Sequence, residues 1–207
     1  MSKSLFDEYD IASPSIQLIA EIYEDIEKIL PVSHKKSAPV NFKEFELFNY
    51  YEINHLGPVF IINETAVSFY LNFVEVAYSK NSGNIHTSKT CIDLQTWGMI
   101  YLKENYGHIV IKPESILDKI HDLINPIELD FKEDKIFSNK FYVITNNKGI
   151  AEARMNQAFR DCVQSLDVPE FLIEIKDNKL IVGNRKVLQH SDALGFVKFL
   201  EKISKQF

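Results

Sequence analysis

Six histidines and two cysteines are the side chains of this sequence best suited to bind a metal or to act as a general base. The histidines are scattered singly along the chain, and Cys91 and Cys162 stand far apart, outside any C-x-x-C spacing. We expect both cysteines to be buried thiols that serve as small apolar residues. The sequence therefore predicts neither a metal site nor a bound cofactor.

The polar segment 79–90 is the one place where the sequence favours a catalytic site. It contains Gly83 and places His86 among serine and threonine hydroxyls, with Asp93 shortly after it. Loops held by a rigid sheet often carry functional groups, so His86 and Asp93 are the candidates for a small hydrolase or transferase. The chain has no G-x-S-x-G nucleophile motif and no glycine-rich phosphate loop, which favours a protein without catalytic activity.

The charge distribution excludes several partners. The net charge is −6, and residues 1–30 alone contribute −5. No basic stripe follows that could neutralise phosphates, so nucleic acids and anionic membrane surfaces are poor partners. The N-terminus shows no secretory signal and no run is long enough to span a membrane, so we expect a cytoplasmic protein.

Residues 13–30 predict an amphipathic helix with an apolar stripe and an acidic outer face. Ser13 is the expected N-cap, with Pro14 at the first helical position and Pro31 ending the pattern. Glu21 and Asp25 on the outer face are candidates for contact with a partner. Trp97 and Tyr101 are further candidates because aromatic side chains often anchor interfaces, although filling the core is the alternative use.

The rest of the chain predicts an α+β fold with a mainly antiparallel sheet. Expected elements are a linker at 32–41, a first strand at 42–53, a turn at Gly57-Pro58, a β-bulge near Phe73-Val74, a hairpin connection at 103–107, a short helix ending at 125, and a strand at 127–131. Later elements are a strand FYVIT, a helix at 150–166 whose outer face carries Glu152 and Arg160, a hairpin FLIEI–KLIVG, and a last helix capped by Ser191. Asp130, Glu133 and Asp134 are interpreted as a solvated bend.

The expected domain organisation is an N-terminal helix at 1–31, the linker, and a single α+β domain at 42–207 that could divide near 112–126. Within it, residues 131–186 resemble an uncharacterised bacterial domain family, often found behind paired membrane helices. The matching residues are Phe141-Tyr142-Val143, Asn146-Asn147, Ala153-Arg154, Phe159 and the hairpin FLIEIKDNKLIVG, and the chain departs from the family at Met155-Asn156-Gln157. The resemblance implies a fold and no mechanism.

The leading hypothesis is a soluble, non-enzymatic binding or regulatory domain that acts through a protein partner or self-association. One alternative is the hydrolase or transferase with a site at 79–93. The other is an acidic inhibitor that shields a basic partner, because opposite charges complement each other across an interface.

Overall fold

The structure is a computed structural model that describes residues 6, 9, 11–37, 39–49, 51–63, 67–81, 88–115 and 126–207. Its strands are β1 Val32–Lys35, β2 Glu52–Asn63, β3 Ser68–Asn81, β4 Ser88–Tyr101, β5 His108–Pro113, β6 Ile127–Glu128, β7 Phe141–Thr145, β8 Leu172–Lys176 and β9 Lys179–Gly183. Its helices are α1 Ser13–Glu27, α2 Lys135–Ser138, α3 Lys148–Arg154, α4 Gln157–Gln164 and α5 His190–Gln206, with 3-10 turns at Phe42–Glu44 and Glu46–Phe48. The expected α+β fold with N- and C-terminal helices is confirmed.

In the described part of the chain, nine strands form one antiparallel sheet in the order β1-β2-β3-β4-β9-β8-β5-β7-β6. The hairpin β8–β9 lies between β4 and β5, so the predicted hairpin of β4 with β5 is wrong. The connection at 102–107 instead crosses the β8–β9 turn, where Tyr106 N donates to Asp177 O and Asp177 N donates to Gly107 O. Gly107 has a positive φ of 70° and Asp177 has a φ of 59°, so both segments turn tightly at this crossing.

The two faces of the sheet are covered very differently. On the first face, which we call the helix face, apolar residues of all five helices pack on the strands in one large core. On the opposite face, which we call the second face, a smaller core forms under residues 42–48, the two 3-10 turns. We call residues 42–48 the cover segment. The predicted strand at 42–53 is therefore wrong over its first half, and its aromatic residues pack down onto the sheet instead of pairing within it.

The pattern of apolar residues along β3 follows from the different covers on the two faces of the sheet. Phe69, Leu71 and Phe73 face the helices, whereas Val74 and Val76 belong to the core of the second face. The change in apolar phase thus marks the place where the covered face changes, and β3 pairs with β4 without a break. The predicted bulge near Phe73-Val74 lies on the neighbouring strand, because residues 57–58 of β2 stand opposite Phe73. Gly57-Pro58 is therefore not the predicted turn. It is a shift in the pairing register inside the continuous strand β2.

The N-terminal helix packs within the molecule. Ile19, Ile22 and Ile26 of α1 are fully buried in the main core, which confirms the predicted apolar stripe, although Ile29 is 60% exposed. Ala12, with no capping side chain, precedes α1, so Ser13 is not its N-cap. The predicted linker is wrong at its start, because residues 32–35 form β1 at one edge of the sheet.

The predicted helix at 150–166 is two helices. Its N-terminal half, α3, ends at Arg154, and a new N-cap at Asn156 accepts a hydrogen bond from Phe159 N to begin α4. The last helix begins at His190 after Gln189, so Ser191 does not cap it. The hairpin β8–β9 and strand FYVIT are as predicted, and the strand at 127–131 shortens to β6. The predicted short helix after Pro113 lies mostly at 116–125, outside the described residues.

No helix in the described part of the chain has both the length and the apolar composition that crossing a bilayer requires.

Candidate binding cleft

The predicted catalytic pair is not assembled in the described residues. His86 lies outside them, and Asp93 on β4 accepts a hydrogen bond from the Tyr78 hydroxyl at 2.8 Å. That hydrogen bond, with burial, raises the pKa of Tyr78 to about 12. Tyr78 therefore stays protonated at neutral pH, and Asp93 serves to hold it.

Trp97 and Tyr101 of β4 support the fold of the second face. Trp97 is fully buried, lies 4.7 Å from the ring of Phe48 between centroids, and donates its indole N–H to Gln95 Oε1 at 3.0 Å. Its use is core packing. Tyr101 is 37% exposed and donates its hydroxyl to Pro39 O at 3.1 Å, which holds the chain between β1 and the cover segment against the sheet.

The acidic candidates on α1 lie on its outer surface. Glu21 is exposed and accepts a hydrogen bond from Gln17 on the same helix. Asp25 contacts Lys28 Nζ at 2.7 Å and His190 Nε2 at 3.1 Å, so it joins α1 to the start of α5. The hydrogen bond from Lys28, followed by the nearby His190, holds the pKa of Asp25 below its usual value.

Glu152 and Arg160 do not share an outer face. Glu152 is exposed beside Lys148, but Arg160 is buried and donates from Nε to Asp134 Oδ2 at 3.0 Å and from Nη1 to Met155 O at 2.7 Å. Asp134 is also buried, so the prediction of a solvated bend is wrong at this residue. A buried charge needs a partner of opposite charge. Asp134 and Arg160 provide this for each other, so the Arg160 side chain of α4 lies inside the protein.

Burial alone would raise the pKa of Asp134, but hydrogen bonds from Phe137 N, Gln157 and Arg160 outweigh it and hold the pKa below its usual value. A carboxyl whose pKa is lower in the folded than in the unfolded state stabilises the fold above its unfolded pKa, which is about 3.9 for Asp. This stabilisation is lost as the pH falls through the pKa of the folded state.

We therefore predict that Asp134→Asn lowers the free energy of unfolding by about 3 kcal/mol at pH 7, because Arg160 loses its buried partner. The difference from the wild type should begin to shrink below about pH 3.9, where the carboxyl of the unfolded wild type takes up a proton, and it should disappear once the pH is below the lower pKa of the folded state. Urea titrations at both pH values, with the exposed Asp130→Asn as the control, measure this. An equal difference at both pH values would contradict the role assigned to Asp134.

A buried carboxylate holds the cover segment on the second face. Glu174 of β8 is fully buried, and its two oxygens accept hydrogen bonds from Glu46 N and Leu47 N, each at 2.9 Å. These are the first amides of the second 3-10 turn, where a negative charge is stabilised. His108 of β5 adds a contact from Nε2 to Glu174 Oε1 at 2.7 Å. The sequence signal for this contact is the single acidic residue inside the apolar run FLIEI.

Basic side chains bind the cover segment in both of its 3-10 turns. Lys176 Nζ donates to Glu44 O at 2.8 Å, and Lys179 forms an ion pair with the Glu44 carboxylate. In the second turn, Arg185 donates to Leu47 O at 3.3 Å. The cover segment is thus fixed to β8 and β9 through both backbone and side-chain contacts.

Replacing Glu174 with Gln should lower the free energy of unfolding by about 3 kcal/mol, because the buried carboxylate that receives two amides and His108 is lost. It should also make Trp97, the sole tryptophan, more accessible to acrylamide quenching, since the cover segment lies over it. The exposed Glu128→Gln is the control. If quenching and stability of the Glu174 variant match those of the control, the carboxylate does not hold the cover segment.

Beyond the cover segment, toward β1, the second face carries an open cleft of about 460 Å³. Three strands build it through their register, which places Ser33 beside Ile61 and Ile61 beside Tyr70 in one row. In the next row Lys35 lies beside Val59. We call this the edge cleft; its lining residues are Ser33, Lys35, Ser37, Pro39, Val59, Ile61, Ser68 and Tyr70.

The edge cleft has an apolar floor and a polar rim. Val59 and Ile61 are 1% and 9% exposed, whereas Ser33 and Lys35 on β1 are exposed. The described lining contains one ammonium group and several hydroxyls but no carboxylate, imidazole or thiol. Such a surface can bind by contact and hydrogen bonding, and its side chains lack an evident general acid or base at neutral pH.

None of these lining residues is a sequence-predicted site residue, because Ser33, Lys35 and Pro39 lie in the predicted linker at 32–41. The buried Cys162 is as expected, but Cys91 on β4 is half-buried. The cleft depends on pairing between distant strands, which the sequence patterns do not specify.

Comparisons with known proteins define the fold alone. No known family profile matches the chain, and no curated protein matches it in sequence. The crystal structure of the mycobacterial trehalose monomycolate transport factor A, TtfA, is similar in fold, with a TM-score of 0.58 at 7% sequence identity. The match covers 91% of this chain and 92% of that one, so it extends across nearly the whole chain and supports one continuous α+β fold.

Proposed function

We propose that the chain is a non-enzymatic binding protein that uses the edge cleft to hold a protein partner. The observation that carries this proposal is the edge cleft itself, an open surface with an apolar floor and hydroxyl-bearing rim on the face of the sheet that the helices leave uncovered. Interfaces commonly combine an apolar centre with a polar rim.

The buried ionisable groups support the same proposal. Glu174, Asp134 and Arg160 are each engaged in holding one part of the fold to another. These three groups therefore stabilise the fold, and they do not line the edge cleft. The similar fold of a protein named as a transport factor is consistent with an accessory role, although the two sequences share only 7% identity.

A second candidate is an inhibitor of a basic partner that binds the outer face of α1. Glu21, Glu24 and Glu27 are exposed there, while the apolar side of the helix is buried in the core. An acidic surface of this kind attracts a basic partner and speeds its association.

Site-specific photo-crosslinking in the cells that produce the protein distinguishes these surfaces. A benzoylphenylalanine at Tyr70 should give a discrete protein adduct, because Tyr70 lines the edge cleft. The same group at Ile136, an exposed residue of α2, is the control and should give none. A discrete adduct from position 21 alone would favour the inhibitor, and no specific adduct from position 70 would contradict the proposal.

A further inference from the structure

The donors that line the edge cleft are suited to a negatively charged group. Lys35 supplies an exposed ammonium, and hydroxyl-bearing residues lie on β1, on β3 and on the chain that follows β1. Ammonium and hydroxyl groups together donate to a carboxylate, and hydrogen bonds to a charged group are stronger than those between neutral groups. The hydroxyl-bearing residues are Ser33, Ser37, Ser68 and Tyr70.

The described lining of the edge cleft is opposite in charge to the whole chain. Lys35 is the one charged side chain in that lining, and it is positive, whereas the protein has a net charge of −6. The exposed acids of α1 belong to the helix that covers the other face of the sheet. An acidic partner would therefore be directed to the edge cleft and away from α1.

The strand register of the edge cleft suits an extended occupant. Ser33 and Lys35 lie two residues apart on β1, beside Ile61 and Val59 of β2. Residues two apart in an extended segment also share one side, at a spacing of roughly 7 Å. One side chain then lies over Val59 and Ile61 while a neighbour reaches the rim.

The edge strand itself is partly protected against strand addition. The Tyr23 hydroxyl donates to Val32 O at 3.2 Å, and the Tyr9 hydroxyl donates to Lys35 O at 3.3 Å. These bonds satisfy carbonyl groups at the two ends of β1, which leaves fewer free groups with which a further strand could pair. The occupant therefore lies across the second face in the edge cleft, not beside β1 as a tenth strand.

We propose that the edge cleft binds an extended acidic segment of a partner protein, with a carboxylate on Lys35 and the rim hydroxyls and an apolar side chain on the floor. This inference rests on the proposed function and specifies the partner that the same surface recognises. Lys35 sets the preference for acid, and Val59 with Ile61 sets the preference for an adjacent apolar residue.

Binding of labelled eight-residue peptides to the full chain tests this inference. The acidic peptide carries two glutamates around a Leu-Val pair, and the matched peptide carries glutamines instead. We expect the acidic peptide to bind about tenfold tighter, with amide NMR shifts centred on β1 to β3, because its charged hydrogen bonds are lost in the matched peptide. Lys35→Glu should abolish the preference, while Lys140→Glu at an exposed distant site should keep it.

Equal binding of the two peptides, no binding of either, or shifts outside the edge cleft would overturn the inference. So would free glutamate competing as well as the peptide, which would indicate a small carboxylate as ligand. A Tyr70 photo-adduct that persists with any of these results would leave the proposed function standing and refute only the acidic partner. Unchanged Trp97 fluorescence in the Lys35 variant confirms that its fold is intact.

Discussion

Glu174 is the buried charge on which the second face of the sheet depends. A sheet whose middle strands are apolar on both faces must be covered on both, and the helices cover only one. The cover segment closes part of the other face with aromatic rings, and its Glu46 and Leu47 amides donate to the Glu174 carboxylate. Because a buried carboxylate is costly unless its oxygens are satisfied, the same contacts stabilise the charge and position the segment.

The edge cleft is a consequence of how short that cover is. The cover segment packs over the middle strands, with Phe48 on Trp97, and the chain before it is held down where Tyr101 binds Pro39. Between this chain and β1 lies the edge cleft, with Val59 and Ile61 as its floor. The fold therefore separates a packed half of the second face, which provides stability, from an open half that is available for binding.

Local patterns in the sequence predicted the elements whose signals are local. The isoleucine spacing of α1, the strand FYVIT and the turn at Asp177 between β8 and β9 depend on neighbours a few residues away. The break at Asn156 was missed because an apolar periodicity continues through it, although the asparagine provides a cap. The residues of 42–48 have the aromatic content of a strand, but they are held to Glu174 across more than 120 residues.

The candidate site required information that the sequence patterns do not contain. The position of Arg160 on its helix predicts an exposed side chain. The side chain is buried instead, because it binds Asp134, which lies 26 residues earlier in the chain. Ser33, Ile61 and Tyr70 become one row only through the register of three strands. The sequence shows that segment 31–43 contains no aspartate or glutamate. That Ser33 and Lys35 of this segment lie beside Ile61 and Val59 depends on the pairing of β1 with β2.

The central claim is that the open half of the second face, and not α1, contacts the partner. Hydrogen–deuterium exchange of the chain with and without the captured partner measures this directly. Protection confined to peptides of β1, β2 and β3, with the amides of α1 unchanged, is the result that the structure predicts. Protection of α1 with unchanged exchange in β1 to β3 would contradict it.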